Sequence, residues 1–298
     1  GMGIVYLAEH VLLRRKVAIK TLSERACASD EMVKRFHREA EAAANLRCPH
    51  TVELFDFGIT EDKTLYFVME LLDGLDLETL VREHGPLPAS RTIHILRQVC
   101  ESLEEAHSQG LIHRDIKPAN IHVGKVGVRH DFVKVLDFGL VKSVKKQEVG
   151  DSLATSVGRT PGTPAYMAPE MVTGESVDAR ADIYALGCVA YFLLTGKLVF
   201  EAETTFQMIA KHLRNEPVPP SVRAGIDVPR PLEDLILSSL KKKPEDRPAS
   251  AAAFAATLSL VRTTGWSEQQ AESWWLVQAA SVPSLASSLT NQQAPAPA

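Results

Sequence analysis

The sequence predicts an α+β chain of two unequal lobes: a small N-terminal antiparallel sheet with one helix, then a larger, mainly helical part. Three observations carry this. Short strand-like runs crowd residues 1–70. Helical periodicity takes over beyond Leu75. Between them, "VMELLDGLDLETLV", residues 68–81, marks the change of character and places Gly74 at a hinge.

In order, Ile4 to Glu9, Val17 to Leu22, Val52 to Asp56 and Leu65 to Glu70 read as strands. One helix from Ser29 interrupts them, with Met32, Phe36, Glu39, Ala43 and Leu46 at steps of four and three, a stripe that faces the protein. After the hinge, helices are expected over Leu75 to Glu83, Arg91 to Ser108, Asp182 to Leu194, Phe206 to Leu213, Leu232 to Leu240 and Ala249 to Leu260. The resulting division is a small lobe over 1–70, a hinge over 71–74 and a large lobe over 75–262. A Trp-rich helix over 263–280 carries Trp266, Trp274 and Trp275, expected to dock on the large lobe. A Ser-, Ala-, Gln- and Pro-rich linker over 281–298 is expected to be disordered. No internal repeat is visible.

Composition narrows the function classes. With 298 residues and 45% hydrophobic content the chain can bury a sizeable core. Its 33 basic and 37 acidic residues leave a formal charge of -4, which argues against nucleic acid as a partner. Cys27, Cys48, Cys100 and Cys188 form no ligand-like pair and read as reduced and buried. The longest apolar run, Ile183 to Leu194, is too short to span a bilayer and reads as a core helix, so no membrane contact is expected from this segment.

The chemistry gathers in three places. "LIHRDIKPANIHV", residues 111–123, sets His113, Arg114, Asp115, Lys117 and Asn120 between apolar anchors, and Pro118 keeps the segment a loop. "KVAIK", residues 16–20, turns Ala18 and Lys20 to one face of a strand. Glu39 falls on the buried face of the neighbouring helix, where an ionised carboxylate needs a partner, so a Lys20–Glu39 ion pair is expected. "KVLDFGL", residues 134–140, reads as a strand ending in an acid. Asp115, Asn120 and Asp137 then offer one proton acceptor and two oxygen ligands suited to magnesium.

In sequence order "GMGIVYLA", "VAIK", "HRDIKPAN", "DFG", "GTPAYMAPE", "DIYALG" and "KKPEDRP" resemble the signature motifs of bacterial-type, eukaryotic-like serine/threonine protein kinases. The resemblance runs from Gly1 to about Leu260. It implies the two-lobed kinase fold and transfer of the γ-phosphate of ATP to Ser or Thr hydroxyls of protein substrates. Magnesium or manganese is the implied metal, a homodimer could serve trans-autophosphorylation, and the implied location is cytoplasmic. By this resemblance Asp115 takes or orients the hydroxyl proton and Lys117 neutralises charge on the transferred phosphate. Asn120 and Asp137 hold metal, and Lys20, held by Glu39, meets the α and β phosphates. His113 braces the loop. Val5 and Ala18 cover the adenine from above, Ile121 lies below it and Met69 is the gatekeeper. Glu70 and Leu72 offer backbone hydrogen bonds, and Asp76 reaches the ribose or starts a helix.

The same resemblance makes Asp182 a cap for the catalytic loop and pairs Glu170 with Arg247. Lys117 and Thr163 match the serine/threonine pattern. It also implies autophosphorylation at Thr155, Ser156 or Thr160, near Arg114; Ser152 reads as a solvated loop residue. Of the glycine-rich loop only Gly1 and Gly3 remain, and the first strand is missing, so weakened ATP binding is expected. A pseudokinase-like nucleotide-binding or scaffold module is the competing reading.

Overall fold

The computed structural model describes residues 4–22, 30–62, 64–138 and 164–278. Gly1, Gly3, Cys27, the hydroxyl residues from Ser152 to Thr163 and the tail beyond Gln278 lie outside them, as do the side chains of Met32 and Phe36.

The small lobe is built on β1 (Ile4–Glu9), β2 (Lys16–Leu22), β3 (Leu54–Ile59) and β4 (Leu65–Glu70), all antiparallel in the order β1-β2-β4-β3. Alternation buries Leu65, Phe67 and Met69 of β4 and leaves the residues between them half-buried. Helix α1 (Asp30–Ala44) rests on β3 through the face that carries fully buried Ala40 and buried Ala43.

The large lobe opens with a second antiparallel sheet of β5 (Gly74–Asp76), β6 (Ile121–Val126) and β7 (Arg129–Val135). Leu75 therefore belongs to a strand, and the helix expected from it, α2 (Leu77–His84), starts two residues later. Asp76 sets that start by accepting the backbone N–H of Thr79 at 2.9 Å. Gly74 has φ +131°, and a Cβ there would lie 2.3 Å from the Val123 carbonyl oxygen, so the hinge closes on β6 only with glycine. The strand expected over Val52 to Asp56 also moves, because Val52 donates to the Val135 carbonyl at 3.0 Å and Val135 to that of His50 at 2.7 Å. Residues 50–52 are taken by β7, and β3 begins past them with a bulge between Leu54 and Asp56.

The rest of the large lobe is α3 (Ala89–Ser108), α4 (Glu170–Thr173), α5 (Arg180–Thr195), α6 (Thr205–Arg214), α7 (Pro220–Ala224), α8 (Arg230–Ser239), α9 (Ala251–Leu260) and α10 (Glu268–Gln278); α3 and α10 pack on β7, and α5 and α9 pack on α3. The apolar run that forms α5 is a core helix: Ile183, Leu186, Val189 and Leu193 are fully buried. Each such side chain contributes about 1.5–3 kcal/mol of burial. No described helix is long and apolar enough to cross a membrane. Cys100 and Cys188 are buried free thiols as expected, whereas free Cys48 is only half-buried. Glu170 and Arg247 form the expected pair, with two bonds of 2.7 and 2.8 Å in a site 2% and 0% exposed.

Candidate active site

The loop between α3 and β6 is held from below by Asp182, in the first turn of α5. This buried carboxylate accepts the backbone N–H of His113 and of Arg114, each at 2.8 Å, and pairs with His107 Nε2 at 2.8 Å. It fixes Arg114 in a left-handed conformation, φ 62°, which a side-chain-bearing residue keeps only when its surroundings demand it. The capping role expected of Asp182 is met.

His113 is fully buried, and burial pushes its pKa down, so its ring is neutral near pH 7. Nε2 donates to the Leu136 carbonyl at 2.7 Å, and Nδ1 accepts the Asp115 N–H at 3.2 Å. The ring braces the loop against the segment leading to Asp137. A second tie joins the same two segments, from Leu136 N–H to the Asn120 carbonyl at 2.9 Å.

Pro118 starts a single tight turn, Pro118–Asn120, that carries Lys117 and Asn120 back to Asp115. Asp115 Oδ2 accepts Lys117 Nζ at 2.8 Å and Asn120 Nδ2 at 3.0 Å; the same Nδ2 donates to the Asp115 carbonyl at 2.9 Å. Both donors of the amide nitrogen are thus directed at Asp115, which turns Asn120 Oδ1 away from that carboxylate. The loop delivers an acid, a cation and an amide oxygen from six consecutive residues.

Asp137 follows β7 at φ 64°, so the strand ends at Val135 rather than running into the acid. Its Oδ2 pairs with the ammonium of Lys20, the two side chains being 23% and 15% exposed. The expected Lys20–Glu39 pair is therefore not the one formed: Lys20 reaches across the cleft to the large-lobe acid. Glu39 is half-buried on α1, where it makes contacts of its own.

The cross-strand pairs Val5↔Lys20, Leu7↔Ala18 and Ala18↔Met69 set Val5, Ala18, Lys20 and Met69 on one face of the small sheet. Ala18 and Met69 are buried and Val5 is exposed. Met69 also lines a small cavity with Ala43, Leu54, Asp137 and Phe138. Leu72 is half-buried in the hinge, and Asp76 spends one oxygen on its helix cap. Ile121 is fully buried in the core, whereas β6 turns the next residue, His122, toward Gly74 and the acids Asp76 and Asp73. Burial drops the His122 pKa to about 4.

Sequence reasoning missed Lys134. It is 8% exposed, pairs with Glu70 Oε1 at 2.6 Å and donates to the Thr51 carbonyl at 3.3 Å, while Glu70 Oε1 also accepts the Glu53 N–H at 2.8 Å. The hinge acid is thereby tied to the strand that leads to Asp137. The available signal was a lysine inside the apolar run "FVKVL".

Residues 1–258 match the family model described as the protein kinase domain. The chain belongs to the protein kinase domain family. It is 42% identical over 262 residues to serine/threonine-protein kinase pkn3 of Myxococcus xanthus, covering 88% of this chain and 48% of that protein. It is 39% identical over 261 residues to serine/threonine-protein kinase PknB of Mycolicibacterium smegmatis, covering 87% and 40%. The chain thus spans about half or less of these relatives' length. The crystal structure of the Mycobacterium tuberculosis PknI kinase domain superimposes with a TM-score of 0.67 at 30% identity, over 87% of this chain and 91% of that one. The expected kinase fold of bacterial serine/threonine type is therefore met.

Proposed function

We propose that this kinase domain transfers the γ-phosphoryl group of ATP to Ser and Thr hydroxyls of proteins. The observation that carries the reading is Asp115, whose Oδ2 is held by Lys117 and Asn120. In the transfer, a substrate hydroxyl oxygen bonds to the γ phosphorus as the bond to the leaving ADP oxygen breaks, and Asp115 accepts or orients the hydroxyl proton. Lys117, paired with Asp115 at 2.8 Å, serves to neutralise charge building on the moving phosphoryl group.

Asn120 Oδ1 and the Asp137 carboxylate are hard oxygen donors and fit a magnesium or manganese ion. Such an ion would neutralise the β and γ phosphates. Lys20 exchanges Asp137 for the α and β phosphates when nucleotide enters, and Glu39 then steadies it. Val5, Ala18 and Met69 cover the adenine, the backbone of Glu70 and Leu72 meets its edge, and the second oxygen of Asp76 serves the ribose. His122, rather than Ile121, supplies the floor. Gly1 and Gly3 belong over the phosphates. Phosphorylation at Thr155, Ser156 or Thr160, within a transient homodimer in the cytoplasm, activates the domain through Arg114.

Incubation with γ-labelled ATP, magnesium and a generic protein acceptor, followed by phosphoamino-acid analysis, tests the reading. Label on Ser and Thr is expected, and peptide mass spectrometry should find Thr155, Ser156 or Thr160 among the sites. A chain that binds nucleotide without labelling any acceptor would instead be a binding or scaffold module.

A further inference from the structure

Away from the cleft, a dense group of buried charge and aromatic rings sits where β7 begins. Asp131 and Arg91 are 0% and 1% exposed. Arg91 Nε and Nη2 each donate at 2.8 Å, to Oδ2 and Oδ1 respectively. Trp266 Nε1 donates to Oδ2 and Trp275 Nε1 to Oδ1, each at 2.7 Å. Trp274 covers the guanidinium at 3.9 Å, and the Trp266 ring lies 5.1 Å from it. Each carboxylate oxygen thus takes one guanidinium N–H and one indole N–H.

A buried ion pair is tolerated when further hydrogen bonds fill its lone pairs. Here the second set of donors comes from α10 and the turn before it, a segment past residue 258, where the family match ends. Asp131 has φ 51°, a conformation its surroundings must hold. Gln98 of α3 fixes it further, donating to its carbonyl at 2.9 Å and accepting the Val133 N–H at 3.0 Å. From Asp131, β7 runs to Val135, two residues before Asp137.

We propose that Asp131 and Arg91 form an indole-recognition socket, filled in cis by Trp266 and Trp275, through which α10 holds β7 and sets the placement of Asp137. Trp266 and Trp275 are then positioning residues. The link to Asp137 rests on the phosphotransfer reading; the socket does not.

The test uses the full chain carrying Trp266→Phe and Trp275→Phe, which keeps two rings and removes two donors. Amide hydrogen exchange without nucleotide reads β7, and a Mg2+ titration of ADP binding reads Asp137. The amides of residues 132–135 should exchange roughly tenfold faster, the scale of a lost buried hydrogen bond. The Mg2+ concentration at half-saturation should rise several-fold. Leu276→Ala, on an exposed position of the same helix, should change neither. If the double variant does not fold, Trp275→Phe alone should give smaller shifts in the same direction. Unchanged β7 exchange overturns the socket, and faster exchange with unchanged Mg2+ dependence overturns the link to Asp137. If the unsubstituted chain binds no ADP with magnesium, the phosphotransfer reading fails and the exchange rates alone decide the socket.

Discussion

The two sides of the cleft are held by different means. On the large-lobe side, Asp115, Lys117 and Asn120 sit in a loop tied by backbone bonds to Asp182, by His113 to Leu136 and by Asn120 to the same residue. On the small-lobe side, Lys20 makes one partly exposed ion pair, to an acid of the opposite lobe. Losing any single bond leaves the loop other anchors. Losing the Lys20–Asp137 bond frees Lys20. The difference is one of redundancy: the loop keeps its geometry through several bonds, whereas Lys20 rests on one ion pair to the opposite lobe.

The contrast can be broken hardest in the large lobe. Arg247→Ala leaves Glu170 buried without its cation and should cost about 3–5 kcal/mol, read as a drop in the chemical-denaturation midpoint.

Acidification comes next. His212 is buried, bonded to Tyr184 at 2.8 Å and stacked edge-on to Phe200, and burial with nearby Lys242 lowers its pKa from 6.5 to about 4. Its neutral form is the folded one, so the unfolded chain binds the extra proton. The stability it contributes is intact above pH 6.5 and is lost as pH falls toward 4, at up to about 1.4 kcal/mol per pH unit. His50 and His94, also lowered chiefly by burial, add slope of the same sign. Denaturation midpoints that rise on acidification through this window would contradict the assignment.

Lys134→Met tests the tie between the lobes. It leaves Glu70 without its cation at the hinge and should cost about 1–3 kcal/mol and raise the KM for ATP more than it lowers kcat. Equal changes in both would separate Lys134 from the hinge. Lys20→Met should be the mildest for the fold, about 1 kcal/mol, because Lys20 holds one partner among the described residues whereas Lys134 also holds the Thr51 carbonyl, yet severe for phosphoryl transfer. A large loss of stability there would mean that the small lobe is as rigidly held as the catalytic loop.

Legibility in the sequence follows the range of the interactions. Ile4–Glu9 and Leu65–Glu70 were readable to the residue because a short run rich in β-branched and aromatic residues is a local signal. The β5–β6–β7 sheet was not, because Gly74–Asp76 is too short to show a period and pairs with a strand some 50 residues away. Val52 looked like strand and is drawn to β7 instead. Asp115, Asn120 and Asp137 were legible as an oxygen-rich set. The partner of Lys20 was misread because helical periodicity shows which face Glu39 occupies, not which acid is nearer. The Arg91–Asp131 pair lies 40 residues apart and leaves no local pattern at all.

The central claim is that Asp115 is the group on which transfer turns. It is tested most directly by the single-turnover rate of phosphoryl transfer from ATP with magnesium, for the unsubstituted chain and for Asp115→Asn. The rate should be lower by about 10²–10⁴-fold in the variant, with its free energy of unfolding within about 1.5 kcal/mol of the original. Equal rates from the two proteins would contradict it.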